Sequence, residues 1–200
     1  MHSGDGKMAT IGVLSLQGAV TEHLACLNQL EIVRGVAVKT RPPLEKVDAL
    51  IIPGGESTAI GKLLKEYDLI APLQERIKGG MPVWGTCAGM ILLANRIVNQ
   101  DTTYLNVLDV AVRRNAYGSQ LDSFQAQAVV EKVSPEPFPL VFIRAPYIEQ
   151  VGPEVEVLLC LHGHIVAVQQ QHILATAFHP ELTGDLRFHR FFVNMLNEAA

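Results

Sequence analysis

The sequence has few cysteines, no excess of basic residues and no long apolar run. Its three cysteines, Cys26, Cys87 and Cys160, are too few and too scattered for a disulfide framework, which favours a reducing compartment. Sixteen basic residues against 20 acidic ones give a net charge of −4, whereas nucleic-acid-binding surfaces normally carry a basic excess. No apolar run approaches the length of a membrane span. From the cysteines we expect a cytoplasmic or plastid-like location, from the charge no binding to nucleic acid, and from the short apolar runs no membrane span.

The start of the chain shows no targeting signal. Residues 1–7 are polar, and no apolar segment stands behind them before a cleavage site, so we predict no signal peptide. We expect residues 1–9 to form a tail and residues 10–200 to form one domain, because no repeat or linker interrupts them. A hydrophobic content of 48% with 18% charged residues excludes a disordered chain.

The first half of the sequence alternates short apolar runs with helical apolar spacing. Predicted strands cover Thr10–Leu16, Val36–Val38, Ala49–Ile52 and Met81–Trp84. Predicted helices cover Ala19–Leu30, a segment from about Thr58, Ile70–Lys78 and Met90–Ile97, while Arg41–Pro43 is expected to form a loop. This alternation predicts an α/β fold with a parallel sheet and helices on both faces.

The second half has the pattern of several strands joined by short turns, partly as hairpins. The predicted strands lie near Val107–Val112, Gln125–Val133, Leu140–Ile143, Val155–Leu161, Ile165–Gln169 and Ile173–Phe178. A last helix is predicted from Leu186, because Phe188, Phe191, Phe192, Met195 and Leu196 fall on one helical stripe. We expect this helix to pack on the core.

The strongest chemical signal is the pentapeptide Gly85-Thr-Cys87-Ala-Gly89, between a predicted strand and a predicted helix. The same arrangement with serine is the nucleophile elbow, in which glycines permit a sharp turn that raises the nucleophile at the sheet edge. The amide of Ala88 would then donate to an oxyanion. The alternative is a small buried cysteine in a glycine-rich turn, but the strand–turn–helix context favours a nucleophile.

A thiol nucleophile needs a base, and the base needs an orienting group. His179 and Glu181 lie two residues apart beyond a predicted apolar strand, and Pro180 between them stiffens the turn. Glu181 can therefore hold one imidazole nitrogen while the other faces the cysteine. Such a pair is more often a surface pair when it stands alone; with the cysteine elbow present, we interpret it as catalytic.

A third candidate segment, Pro53-Gly-Gly-Glu-Ser-Thr58, follows another buried strand. Its paired glycines would let a backbone amide turn toward an oxyanion, while Ser57 and Thr58 could simply cap the next helix. A phosphate-binding loop is excluded, because the spacing of Gly55 to Gly61 is one residue too long and Leu63 replaces the required Ser or Thr.

The remaining candidates carry weaker signals. Arginines of Arg113-Arg114-Asn115 and Ile143-Arg144 stand beside predicted strand ends, where each could clamp a carboxylate or form an ordinary surface ion pair. We expect no metal site, and interpret His162 and His164 as solvated turn residues. Cys26 and Cys160 are interpreted as core filler, and His172 and His189 have no partner in the sequence.

Together these motifs resemble a class I (triad) glutamine amidotransferase and, within that class, the glutaminase subunits of pyridoxal 5′-phosphate synthase. The similar segments run in order along the chain: Ile11–Gly18, Pro53–Thr58, Gly85–Gly89, Arg114-Asn115, Asp122–Phe124, Val141–Pro146 and Phe178–Thr183. The resemblance implies a three-layer, flavodoxin-like arrangement with a mostly parallel central sheet.

The resemblance also implies a mechanism and a partner. Cys87 would attack the side-chain amide of L-glutamine, His179 would move the proton, Glu181 would orient His179, and Gly55 and Ala88 would form the oxyanion hole. Glutamine would lie against Gly55, Glu56, Ser57, Arg114, Ile143 and Arg144, with Gln17 near a subunit interface. Ammonia would pass to a (β/α)₈-barrel synthase subunit, and this chain would bind no cofactor and no metal.

Two positions depart from the family pattern as the resemblance implies it. Ser119 stands where an arginine is usual, and Gln125 where a glutamate is usual, so both concern subunit docking more than chemistry. Three alternatives stay open: the glutaminase of another amidotransferase system, a γ-glutamyl hydrolase, and a non-catalytic regulatory subunit.

Overall fold

Five parallel strands form one half of a large sheet in the computed structural model, which describes residues 8–114 and 123–198. The elements of the first half are β1 (Ala9–Leu14), α1 (Val20–Asn28), β2 (Val33–Val38), α2 (Arg41–Leu44), β3 (Ala49–Ile52), α3 (Ser57–Glu66), α4 (Ile70–Lys78), β4 (Val83–Thr86) and α5 (Ala88–Leu93). The strand–helix alternation predicted from the sequence is confirmed here.

The second half adds mostly strands. They are β5 (Ala94–Ile97), β6 (Leu108–Arg113), β7 (Ser123–Val130), β8 (Ser134–Ile143), β9 (Tyr147–Val151), β10 (Glu156–Leu161), β11 (His164–Gln170) and β12 (Ile173–Thr176). A single 3₁₀ turn at Pro180–Leu182 and the helix α6 (Arg187–Glu198) complete the described chain.

Within the described ranges, the large sheet has the strand order β2-β1-β3-β4-β12-β11-β9-β6-β5, and β10 pairs with β11. The first five of these strands are parallel, and β4 lies between β3 and β12. Every residue of β3, β4 and β12 is buried, as expected for parallel strands covered on both faces. β7 and β8 form a separate antiparallel hairpin.

Helices cover both faces of the parallel region. From β1 to β2 the chain moves one way along the sheet, and from β3 to β4 it moves the other way. Right-handed connections therefore place α1 on one face and α3 and α4 on the opposite face. α6 lies beside α1, because His23 of α1 hydrogen bonds to His189 of α6.

Aromatic rings join α6 to the sheet. Phe188 packs against Phe138, Phe178 and Trp84, with ring centroids 4.8, 5.2 and 6.2 Å away. Phe188 and Phe192 are fully buried, and Phe191 is half-buried. The predicted apolar stripe is thus confirmed as the face by which α6 packs on the core.

Several local predictions were wrong, and tertiary pairing explains most of them. Ala94–Ile97 is a strand rather than the end of a helix, because it pairs with β6. Arg41–Leu44 forms one helical turn rather than a loop; prolines are tolerated there because amides of a first turn have no intrahelical partner. The strand Tyr147–Val151 was missed because it contains two adjacent polar, exposed residues, Glu149 and Gln150.

Two further differences concern strands at the edges of sheets. β8 begins at Ser134, earlier than the predicted Leu140, and contains prolines at positions 135, 137 and 139. Proline is tolerated there because β8 pairs with β7 in a two-stranded sheet, so amides on its other side need no strand to bond to. Cys160 is exposed rather than core filler, because β10 pairs only with β11 and alternate residues of this edge strand face solvent.

We expect Phe188→Ala to lower the free energy of unfolding by about 3–5 kcal/mol, because a fully buried ring leaves a cavity among other rings. Thermal unfolding should occur about 10 °C lower. Phe191→Ala is the matched control on the same helix, and its half-buried ring should lose no more than about half as much stability. Equal losses in the two variants would contradict the assigned packing face.

Candidate active site

Cys87 stands in a strained turn between β4 and α5. Its backbone has φ 50° and ψ −104°, a left-handed conformation that residues with a side chain rarely adopt. A side chain at Gly89 would overlap the carbonyl oxygen of Ile52, so only glycine lets α5 approach β3 this closely. This geometry is that of the predicted nucleophile elbow at the carboxyl end of the central strand.

The thiol of Cys87 faces polar groups from two other segments. Its backbone amide donates to the carbonyl of Thr176 at 2.7 Å, and its Sγ lies 3.8 Å from the carbonyl oxygen of Ile143. The imidazole of His179 lies beside Cys87, because a side chain at Gly54 would contact both residues. The elbow and the histidine, far apart in sequence, therefore meet at one sheet edge.

His179 and Glu181 form a buried pair beside the thiol. The Nδ1 of His179 lies 2.7 Å from Oε1 of Glu181, so Nδ1 donates to the carboxylate and Nε2 is left to face Cys87. Burial opposes a charge on the ring, but the hydrogen bonds to Cys87 and Glu181 outweigh it and raise the pKa of His179 to about 10. The pair thus favours a protonated imidazole beside the sulfur.

The paired glycines after β3 lie against this pair. A side chain at Gly54 would overlap the ring of His179 and contact Cys87, which places the glycine loop over the reacting atoms. The carbonyl of Gly54 accepts from the amide of Ala19 at 3.0 Å. The side-chain oxygen of Gln17 accepts from the amide of Glu56 at 2.8 Å, which joins the loop after β1 to the loop after β3.

A cavity of about 510 Å³ opens above Cys87. Every site residue predicted from the sequence lines it except Glu181, which lies behind His179. A larger cavity of about 1050 Å³ lies at the opposite, amino end of β3 and β4, where Asp48 and Pro82 line it. The described residues lining that cavity include no cysteine, whereas Cys87 lines the smaller one.

Glu56 and Arg114 form a charged pair on the wall of the smaller cavity. Glu56 caps α3 by accepting from the amides of Thr58 and Ala59, so the alternative in which Ser57 and Thr58 cap this helix does not apply. Oε1 of Glu56 also lies 3.2 Å from Nη2 of Arg114. Burial favours the neutral acid, but the two amides and the arginine lower the pKa of Glu56.

The structure places the two adjacent arginines, whose roles the sequence left open, in different surroundings. Arg113 forms an exposed ion pair with Glu149 of β9, whereas Arg114 faces the cavity. Asn115 and Ser119 lie outside the described residues. The hydroxyl of Ser57 is buried in the cavity wall and has no hydrogen-bond partner among the described residues.

Neither a metal cluster nor a membrane helix is present in the parts of the chain that the structure describes. No three of the His, Cys, Asp and Glu side chains in residues 8–114 and 123–198 lie close enough together to hold a metal ion. No helix in these ranges is both long and apolar enough to cross a bilayer.

Two buried histidines that sequence reasoning missed lie behind Glu181. The Nε2 of His23 lies 3.5 Å from Oε2 of Glu181, and its Nδ1 lies 3.0 Å from Nε2 of His189. Both residues are fully buried. In the sequence, His23 falls among apolar positions of α1, and His189 lies between the buried Phe188 and Phe192 of α6. The contact between the two histidines depends on how these helices pack.

Both of these rings are held in the neutral form. Burial, and then the neighbouring imidazoles of His189 and His179, lower the pKa of His23 well below its usual value. Burial lowers the pKa of His189 to about 4. The imidazole chain behind the carboxylate is therefore uncharged at neutral pH, in contrast to His179.

Comparisons with known proteins agree with this geometry. The model of the SNO glutamine amidotransferase family matches residues 13–198. The chain is 53% identical over 189 residues to the pyridoxal 5′-phosphate synthase subunit PdxT of Ruminiclostridium cellulolyticum, covering 94% of this chain and 100% of that protein. The protein of the same name from Clostridium acetobutylicum is 52% identical over 185 residues, covering 92% and 99% of the two chains.

A solved structure described as a glutamine amidotransferase is similar to almost the whole chain. It superposes with a TM-score of 0.88 at 43% sequence identity, covering 94% of this chain and 98% of that one. The α/β class and the mostly parallel central sheet, with helices on both faces, are thereby confirmed.

The neutral state of His189 predicts a loss of stability in acid. The unfolded chain binds a proton at this residue below about pH 6.5, whereas the folded chain does so only below about pH 4. The contribution of neutral His189 to the free energy of unfolding is therefore fully present above pH 6.5 and is lost as the pH falls to 4.

We expect His189→Gln, which keeps a donor but does not titrate, to make this fall in the free energy of unfolding shallower by about 3 kcal/mol between pH 6.5 and 4. Urea unfolding at a series of pH values measures it. Parallel curves for the variant and the parent protein would show that His189 is not buried in its neutral form.

Proposed function

Because the chain belongs to the SNO glutamine amidotransferase family, we propose that it hydrolyses L-glutamine to L-glutamate and ammonia as the glutaminase subunit of a pyridoxal 5′-phosphate synthase. One observation carries the proposal at the level of chemistry. In an open cavity, Cys87 lies beside His179, whose Nδ1 is held by the buried carboxylate of Glu181.

The reaction begins with attack of Cys87 Sγ on the side-chain amide carbon of glutamine. His179 holds at Nε2 the proton that the sulfur gives up, and a tetrahedral oxyanion forms. When the carbon–nitrogen bond breaks, His179 returns the proton to the leaving nitrogen, which departs as ammonia. His179 then takes a proton from water, which attacks the γ-glutamyl thioester, releases glutamate and restores the thiol.

Glu181 supports these steps without contacting the substrate. Its carboxylate fixes the ring of His179 with Nε2 toward the sulfur and stabilises the imidazolium that forms during each proton transfer. The oxyanion would lie against the backbone amides of Gly55 and Ala88. Ala88 begins α5, so its amide has no intrahelical acceptor, and both residues line the cavity beside Cys87.

The cavity wall suits an amino acid with two charged groups. Arg114 carries the positive charge that would bind the α-carboxylate, and Glu56 the negative charge that would bind the α-ammonium group. The hydroxyl of Ser57, which has no hydrogen-bond partner among the described residues, would supply a further polar contact to the substrate. Ile143 and Arg144, at the end of β8, close the remaining side of the cavity.

A synthase subunit is the partner that this function requires, and we assign it the (β/α)₈-barrel architecture expected from the sequence. The mouth of the cavity is surrounded by exposed Gln17 and by two exposed apolar side chains, Ile143 and Leu182, which are 37% and 44% accessible. This rim is where a partner would dock to receive ammonia. Gln125 is exposed on the β7–β8 hairpin, while Ser119 lies outside the described residues.

We expect Cys87→Ala to abolish glutamate release from glutamine without unfolding the chain, because it removes the nucleophile and leaves a small residue. The assay is glutamate release by the chain alone and mixed with a purified synthase subunit. Cys160→Ala is the matched control, because this exposed thiol lies on β10, away from the cavity.

Each outcome of this assay has a defined meaning. Release that rises with the synthase and disappears in Cys87→Ala supports the whole proposal. Release independent of any partner supports another amidotransferase system, and cleavage of longer γ-glutamyl peptides supports a γ-glutamyl hydrolase. Retained turnover in Cys87→Ala, or no turnover in a demonstrated complex, would contradict the glutaminase mechanism.

Arg114→Ala should raise the KM for glutamine by about tenfold or more, because hydrogen bonds to a charged group are each worth about 1.5–3 kcal/mol. The kcat should change much less. The neighbouring Arg113→Ala is the control, because Arg113 forms an exposed ion pair outside the cavity. Steady-state kinetics of the complex that show the same KM for both variants would remove Arg114 from the substrate site.

A further inference from the structure

We propose that His23 is a positioning residue of this site: its Nε2–H holds the second oxygen of Glu181, and His189 fixes the tautomer of His23 from behind. The catalytic carboxylate would then be held from two sides, by His179 at Oε1 and by His23 at Oε2. The inference rests on the proposed function, because it assigns a role in the same proton transfers.

The first support is an unsatisfied buried oxygen. The side chain of Glu181 is fully buried, and among the described residues its Oε2 has no hydrogen-bond partner at normal distance. An unpaired buried acceptor is costly, and a charged one more so. The Nε2 of His23, 3.5 Å away, is long for a hydrogen bond but faces this oxygen. Catalytic hydrogen bonds are often long before substrate binds and shorten in the complex.

The second support is the proton arrangement of the two histidines. An ionised carboxylate only accepts, so a proton on Nε2 of His23 is attracted to Glu181 and can be shared with the hydroxyl oxygen of Thr86, 3.2 Å away. The Nδ1 of His23 is then a bare acceptor, and it receives the Nε2 proton of His189 at 3.0 Å. Of the ring nitrogens of these two histidines, the one then left without a partner among the described residues is an acceptor, Nδ1 of His189.

The opposite arrangement is less favourable. If Nδ1 of His23 carried the proton, Nε2 could accept from the hydroxyl of Thr86 at 3.2 Å, but its lone pair would also face the carboxylate of Glu181 at 3.5 Å. The Nε2 of His189 would then accept, and a buried N–H at its Nδ1 would have no acceptor within the described residues. The first arrangement avoids both penalties, so His189 selects the tautomer of His23 that serves the carboxylate.

The chain of contacts also reaches the nucleophile. Thr86, whose hydroxyl contacts His23, is the residue immediately before Cys87 at the end of β4. His23 therefore contacts both the segment that carries the thiol and the carboxylate that orients the base. Loss of its donor would leave Glu181 free to turn away from His179, and the reaction would slow while glutamine binding, which involves other residues, would persist.

Three substitutions at His23 distinguish a role as hydrogen-bond donor to Glu181 from a role in packing alone. His23→Gln places an amide donor near the position of Nε2 and should rescue the function. His23→Asn places its amide near Nδ1, toward His189, and should not. His23→Leu fills the space without any donor. His172→Gln is the control, because this histidine hydrogen bonds to the carbonyl of Ile77 near the amino end of β4.

Two measurements apply to the variants in the complex with the synthase subunit. For His23→Leu and His23→Asn, we expect kcat for glutamate release to fall about tenfold or more with KM little changed, and His23→Gln to stay within about threefold. In parallel, alkylation of Cys87 by iodoacetamide is followed against pH by mass analysis of its peptide. The pH at which the alkylation rate is half-maximal should rise by about one unit in the His23→Leu and His23→Asn variants, because a misplaced Glu181 carboxylate stabilises the imidazolium of His179 less.

Stability measurements keep the result interpretable. If His23→Leu fails to fold, the comparison of Gln with Asn, both polar and differing by one methylene, decides the question. Equal kcat and equal alkylation profiles for Gln and Asn would overturn the inference, as would a parent-like profile in Leu. Alkylation does not need glutamine, so a shifted profile without glutaminase activity would refute the proposed substrate and leave the role of His23 intact.

Discussion

The hydrogen bond between His179 and Glu181 is the interaction on which the site depends. A carboxylate taken out of water loses several kcal/mol of solvation unless charged or polar donors replace the water. His179 replaces it at 2.7 Å, and the same bond turns Nε2 toward Cys87. The interactions with Cys87 and with Glu181 together outweigh burial and raise the pKa of the ring to about 10. The burial of Glu181, unfavourable by itself, is therefore what keeps a proton available beside the sulfur.

The parallel sheet brings the parts of the site together. Parallel strands end at the same edge, so the segments after β1, β3, β4 and β12 supply Gln17, the glycine pair, Cys87 and His179 to one place. The helices occupy the two faces and leave this edge open. The tight turn at Cys87 is possible because β4 lies between two buried strands, and because Gly89 allows α5 to approach the carbonyl of Ile52.

Chemistry encoded by short segments could be predicted from the sequence, and chemistry created by packing could not. Cys87 and the pair of His179 and Glu181 lie in compact motifs, and the buried parallel strands were visible as apolar runs. By contrast, Ala94–Ile97 fits a helix by spacing and becomes a strand only because β6 lies beside it. Cys160 was misjudged because an apolar run does not reveal that β10 is an edge strand. His23 and His189 meet only through the packing of α1 on α6, which no local pattern records.

The uncharged state of these two histidines suits the position behind Glu181. A lysine or arginine there would also satisfy the buried oxygen, but its full positive charge would compete with His179 for the carboxylate and lower the pKa of the catalytic ring. A wholly apolar wall would leave the oxygen without a donor. Burial lowers the pKa of His23 well below its usual value and that of His189 to about 4, so both donate hydrogen bonds without bringing a cation. The charge of Glu181 therefore remains available to the imidazolium of His179, where proton transfer takes place.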